Sequence, residues 1–134
     1  MKAVFDTNVL VAAFLTEGIC SRLLMRGRRN QFHLAVCPII LQEFERALVK
    51  KVSVTADESK EALRIVSEAA QSVVQPLQPV KGVCRNPHGD AILACARAAA
   101  ADYLVSGGAD LLELKTFGEF TVITPRRFEL CFDD

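Results

Sequence analysis

An aspartate at the end of an apolar strand is placed to do chemistry. Asp6 follows the run Ala3-Val4-Phe5 and precedes Thr7 and Asn8, after which a helical pattern begins. In an open parallel α/β sheet the carboxyl ends of the strands face the ligand crevice, so Asp6 is expected to point into it. Two further carboxylates, Glu43 and Asp90, stand at comparable places in later strand–helix units. Three acids at crevice-facing element ends repel one another unless a cation neutralises them. Hard oxygen donors select magnesium or manganese, which keep several waters for a phosphate substrate. Each acid also has a plainer reading: Asp6 as a helix cap, Asp90 as a first-turn partner of the helix dipole, and Glu43 as an ordinary surface acid.

Helical phase bears on Glu43. At 100° per residue, Ile40, Phe44 and Ala47 define the buried face of their helix, and Glu43 lies at its edge beside Ile40 and Ala47. Glu45 falls about 200° away from Glu43, among solvated positions. Asp90 sits in the first turn of an alanine-rich helix whose Ile92 and Leu93 lead into the core.

The elements that must position these acids alternate. Lys2 to Asp6 reads as a buried strand and Val9 to Leu15 as a short helix. Gly18 opens a second helix with Ile19, Leu23 and Leu24 inward and Arg22, Arg26 and Arg29 outward. Phe32 to Cys37 is the second strand, and Pro38 starts a helix to about Lys50 from a first-turn position where its missing N–H costs nothing. Thr55 and Glu58 form a capping-box signature. They begin a helix whose core stripe is Ala62, Leu63, Val66, Ala69, Ala70 and Val73. Pro76 and Pro79 bracket a loop or short strand. Asn86-Pro87 opens the alanine-rich helix through Ala101, Tyr103 to Ser106 is a strand, Asp110 to Leu114 a helical turn, Phe120 to Thr124 a further strand, and Pro125 onward a final helix or tail. The pattern predicts an α/β fold, a parallel sheet of about four to five strands with helices on both faces. One domain over residues 1–134 is expected, without repeat or linker.

Composition agrees with a compact fold. At 134 residues, 51% hydrophobic and with net charge +0, the chain is not of the disordered class. Neutrality weighs against a general nucleic-acid coat while permitting local basic rims. The five cysteines include no Cys-x-x-Cys pair and sit mostly among apolar residues, which reads as reduced thiols packed as small hydrophobes. No signal-peptide pattern is seen at the N-terminus. No apolar run approaches the roughly 20 residues of a membrane helix. A cytoplasmic protein with no membrane partner is the expectation.

Other chemistries lack their residues. Cys84 and His88 are four apart but have no second pair at zinc-ligand spacing. His33 is expected to alternate outward from its strand. No Ser/His/Asp or Cys/His arrangement supports acyl transfer, and Ser106-Gly107-Gly108 lacks the Gly-Lys-Ser/Thr of a phosphate loop. The Arg22, Arg26 and Arg29 stripe reads as a solvated face. Lys81, Arg85, Arg126 and Arg127 lie near the strand ends that rim the crevice, where RNA contacts are expected.

With these residues assembled, the chain resembles the PIN-domain ribonucleases, in particular the branch of toxin components of toxin–antitoxin systems. Asp6-Thr7-Asn8 is similar to the family's opening Asp-Thr-Asn/Ser. Pro38-Ile39-Ile40-Leu41-Gln42-Glu43-Phe44 resembles its Ser-Pro-x-Ile-Leu-x-Glu-Tyr segment, and Asn86-Pro87-His88-Gly89-Asp90-Ala91-Ile92-Leu93 its Asp-Pro-Asp-Asp-Asp-x-x-Leu stretch. Ala101 to Leu112 resembles Ala-Asp-Tyr-Leu-Val-Thr-Gly-Asp-x-Asp-Leu-Leu. Gly108 stands where that family has its fourth acid, Ser106 replaces the threonine, and Asn86, His88 and Gly89 replace acids ahead of Asp90.

The resemblance implies a hydrolase: an endoribonuclease cutting single-stranded RNA with Mg2+ or Mn2+. Asp6 and Asp90 would ligate the metal, Glu43 would hold it or orient water, and Asp110 would complete the site. Thr7, Asn8 and Ser106 would support Asp6 from behind. An antitoxin protein partner and a homodimer are implied as well. The thinner carboxylate set is expected to hold a second metal poorly. The rival reading is a PIN-fold protein with a degenerate acidic site that binds RNA or protein, and Gly108 is the residue that favours it.

Overall fold

The structure, a computed structural model, describes residues 1–133. The chain runs β1 (Lys2–Phe5), α1 (Thr7–Leu15), α2 (Ile19–Arg28), β2 (His33–Val36), α3 (Pro38–Lys51), α4 (Ala56–Ala69), β3 (Ser72–Val73), α5 (Pro87–Ala98), β4 (Tyr103–Val105), α6 (Ala109–Leu112), β5 (Thr116–Phe117), β6 (Phe120–Ile123) and α7 (Pro125–Glu129). The six strands form one sheet in the order β3-β2-β1-β4-β6-β5. All neighbours are parallel except β5 and β6. The α/β architecture with a mostly parallel sheet is the expected one.

The central strands are apolar because both of their faces are covered. Ala3, Val4, Phe5, Leu34, Ala35, Val36, Leu104 and Val105 are all buried. Chain order reverses at β1, whose neighbours β2 and β4 lie on opposite sides. This makes the carboxyl end of β1 and β4 the switch point where ligands of such sheets bind. Register then does the positioning. Phe5 pairs with Val105, so Asp6 and Ser106 emerge side by side.

Local chemistry explains the helices around them. Pro38 begins α3, and Ile40, Phe44 and Leu48 recur every fourth residue as its buried stripe. Thr55 caps α4 in a complete capping box, Glu58 N donating to Thr55 Oγ1 at 3.1 Å and Thr55 N to Glu58 Oε1 at 3.0 Å. Asn86 caps α5 by accepting from His88 N at 2.9 Å, with Pro87 in the first turn. Among the described residues no single helix is long and apolar enough to cross a membrane.

Several expectations are corrected. The sheet has six strands instead of four to five, because β3 and β5 are two-residue edges whose hydrogen bonds are made only on pairing. Helix α4 stops at Ala69, so Val73 leaves the helical stripe and is 61% exposed in β3. Arg26 does not face solvent. It donates to Glu129, with Nη2 to Oε1 at 2.7 Å, and covers the Phe132 ring at 4.4 Å, fastening α2 to the C-terminal helix. His33 is half-buried and shares a hydrogen bond with Ser72 Oγ at 2.8 Å across β2 and β3.

The cysteine reading is also corrected. Cys37 and Cys95, both fully buried, are joined by a disulfide that closes a separation of 58 residues. Their Cα atoms are 6.2 Å apart, within the span such a bond needs. Cys20, Cys84 and Cys131 are free. Since Cys37 precedes α3 and Cys95 lies in α5, the bond ties the helix carrying Glu43 to the helix carrying Asp90. A link over so long a loop stabilises a fold by about 2–4 kcal/mol. Thermal melts with reductant should therefore fall by roughly 10 °C, and a Cys37→Ala/Cys95→Ala variant should lose that dependence. A melting point that ignores reductant in the parent protein would show the bond to be open in solution.

Candidate active site at the carboxyl ends of β1 and β4

Asp6 is 6% exposed at the switch point. It stands at the N-cap position of α1, yet its side chain makes no capping bond, which disposes of the plain capping reading. Its Oδ2 instead accepts from Ser106 Oγ at 2.8 Å, and Ser106 Oγ in turn accepts from Gly108 N at 3.0 Å. That relay holds the Asp6 rotamer from β4. No hydrogen bond from the described residues reaches Oδ1.

Thr7 lies deeper than its neighbour Asn8. Its Oγ1 is fully buried and has no hydrogen-bond partner, although buried hydroxyls are nearly always satisfied. The expectation that Thr7 and Asn8 brace Asp6 is corrected here, since Ser106 alone does so among the three. Thr7 and Asn8 instead line a cleft of about 370 Å³ together with Glu43, Arg46, Ala47, Lys50, Lys51, Asn86 and His88.

Glu43 and Glu45 part as helical phase requires. Glu43, with its side chain 29% exposed, faces the cleft and accepts from Arg46 Nη1 at 3.0 Å. Glu45 is exposed and lies outside that lining. Cations missed by the sequence reading also appear. Arg46, Lys50 and Lys51 line the cleft, whereas Lys81, Arg85, Arg126 and Arg127 are exposed and outside it. The signal was present in the helix period, since Lys50 follows Glu43 by seven residues and stands only about 20° from it around α3.

Asp90 is also 6% exposed. Its carboxylate accepts three backbone N–H groups, Gly82 on Oδ2 at 3.0 Å and Val83 and Cys84 on Oδ1 at 3.2 and 2.7 Å. Asp110, in the first turn of α6, is exposed. Burial, and then the charges of Asp90 and Asp110, push the Cys84 thiol above its ordinary range, which places both acids near that sulfur.

Gly108 marks the gap. A Cβ built there would stand 3.4 Å from Ser106 Oγ and 3.9 Å from Asp6 Oδ2. The backbone, at φ −79° and ψ 130°, is open to any residue. An acid at 108 would lie against Asp6.

The donor set suits a hard cation, being carboxylate and hydroxyl oxygen with an orphaned Thr7 hydroxyl beside Asp6. It is not a gathered cage: among the described residues no three His, Cys, Asp or Glu side chains are grouped closely enough to hold a metal. Gly108 and the occupied carboxylate of Asp90 account for much of that.

No curated protein matches the chain. The PIN domain family model matches residues 2–110, a span containing Asp6, Glu43, Asp90 and Asp110. The chain therefore belongs to the PIN-domain family, whose members are in general nucleases that use divalent metals.

Proposed function

We propose that this protein is a Mg2+- or Mn2+-dependent endoribonuclease acting on single-stranded RNA, the toxin component of a toxin–antitoxin pair. The observation that carries the nuclease reading is Asp6, a buried carboxylate with one unengaged oxygen beside an unpartnered hydroxyl at the sheet's switch point. The toxin assignment, the antitoxin partner and a homodimer rest on the four sequence segments that resemble that branch. A cytoplasmic setting accords with that role.

Asp6 and Glu43 would hold the metal, with Asp90 and Asp110 completing its surroundings. When bound, the metal lowers the pKa of a coordinated water and offsets charge developing on the phosphate. The chain supplies the rest. Ser106 fixes the Asp6 carboxylate through Oδ2 and leaves Oδ1 toward the reaction. Arg46, Lys50 and Lys51 attract successive phosphates to the cleft wall. Asn8, Asn86 and His88 offer hydrogen-bonding groups for sugar or base edges.

Glu43 and Glu45 provide the test, since they share chemistry and differ in face. Glu43→Gln should slow Mn2+-dependent cleavage of a single-stranded RNA on the order of 10–100-fold. Glu45→Gln should leave it within about twofold, as expected for a surface change. Equal effects from both would remove the cleft as the reaction site. A second reading, a PIN-fold binding module with a degenerate acidic centre, is favoured by Gly108 and by the carboxylate of Asp90 being already engaged. Tight RNA binding without cleavage at any metal concentration is its signature.

A further inference from the structure

Asp90 holds a loop, and that occupation has a consequence for metal binding. The segment between β3 and α5 is fastened at three points. Arg97 Nη2 donates to Gln78 O at 3.0 Å. The side chain of Cys84 packs where a Cβ on Gly89 would come within 2.9 Å of it. The N–H groups of Gly82, Val83 and Cys84 converge on Asp90, at 3.0, 3.2 and 2.7 Å. Gly82, at φ +71°, supplies the left-handed turn that aims successive N–H groups at one carboxylate.

A carboxylate has two oxygens and about four lone-pair sites, three of which this loop uses. A cation and an N–H proton cannot share one lone pair. Resting on the nuclease reading above, we propose that the 82–84 loop and a divalent cation compete for Asp90, so that metal binding unlatches the loop carrying Lys81 and Arg85. Asp90 is then a positioning residue for that loop in the metal-free protein. By linkage, closure of the loop lowers metal affinity by the same factor that metal loosens the loop. The two exposed cations of the loop, outside the cleft at rest, are thereby released to move when metal is present.

Two readouts test this without measuring activity. Hydrogen exchange over residues 82–84 should be slow in the metal-free protein and rise at least about tenfold at saturating Mn2+ as the bonds to Asp90 open. Gly82→Ala adds a methyl that meets no atom within 4 Å and penalises only the backbone at φ +71°. It weakens the latch without touching an acid, and should tighten Mn2+ binding roughly fivefold. Mn2+ binding with unchanged exchange at 82–84, or a Gly82→Ala affinity equal to or weaker than the parent's, overturns the competition while leaving the nuclease reading intact. Absence of any Mn2+ binding overturns both.

Discussion

Asp6→Asn should abolish metal-dependent RNA cleavage, by on the order of 100–1,000-fold or more, while the protein stays folded. The size follows from electrostatics: the substitution removes the one buried carboxylate that combines a fixed rotamer with an unengaged oxygen. Asparagine is nearly isosteric, and its carbonyl oxygen can still accept from Ser106 Oγ. The charge-assisted part of that hydrogen bond is lost, but so is the cost of burying a charge, and the two oppose each other. Stability should therefore change by no more than about 1 kcal/mol. Cleavage kinetics alongside a thermal melt separate the outcomes. An Asp6→Asn variant that cuts RNA at the parent rate removes Asp6 from the mechanism, and one that unfolds shows the relay to Ser106 to be structural.

Gly108→Asp should have the second largest effect, and in two opposite directions. The new carboxylate would stand beside Asp6, since the Cβ alone comes within 3.9 Å of Asp6 Oδ2, and the backbone at φ −79° imposes no strain. Without metal, two neighbouring carboxylates repel, so the variant should melt below the parent. With metal, the added ligand charge should tighten Mn2+ binding by about tenfold or more. A tenfold gain in affinity returns about 1.4 kcal/mol of stability at saturating metal. The order of melting points should thus invert on adding Mn2+, and cleavage should rise. Unchanged affinity and unchanged melts, with and without metal, would mean that position 108 does not face the ion.

The sequence made the centre of this fold legible and its edges not. β1 and β4 are short apolar runs buried on both faces, and such runs announce themselves. The placement of Asp6 follows from β1 alone, and that of Ser106 from register with it. The faces of Glu43 and Glu45 follow from a helical period that Ile40, Phe44 and Leu48 enforce. β3 and β5 carry only two residues each and exist through their partners, so no local pattern marks them. The Cys37–Cys95 bond spans 58 residues and is created by packing of α3 against α5 through the fold, where cysteine spacing is silent. The hydrogen bonds of Asp90 were invisible for a different reason: their donors are backbone N–H groups, which every residue but proline possesses. Side-chain types therefore suggested a metal ligand, and only the path of the chain disclosed the loop that competes for it. Lys50 was readable from its phase with Glu43, whereas the rim cations chosen by nearness to strand ends lie outside the cleft.

The central claim is that the cleft at Asp6 takes a divalent cation, and direct titration of Mn2+ into the purified protein, followed by electron paramagnetic resonance, tests it most closely. The parent protein should bind Mn2+ at one weak site, Asp6→Asn should show no saturable binding, and the two proteins should have the same fold. Equal saturable binding by both proteins would place the ion elsewhere. No saturable binding by the parent, together with tight association with single-stranded RNA, would contradict the enzyme and leave the binding module.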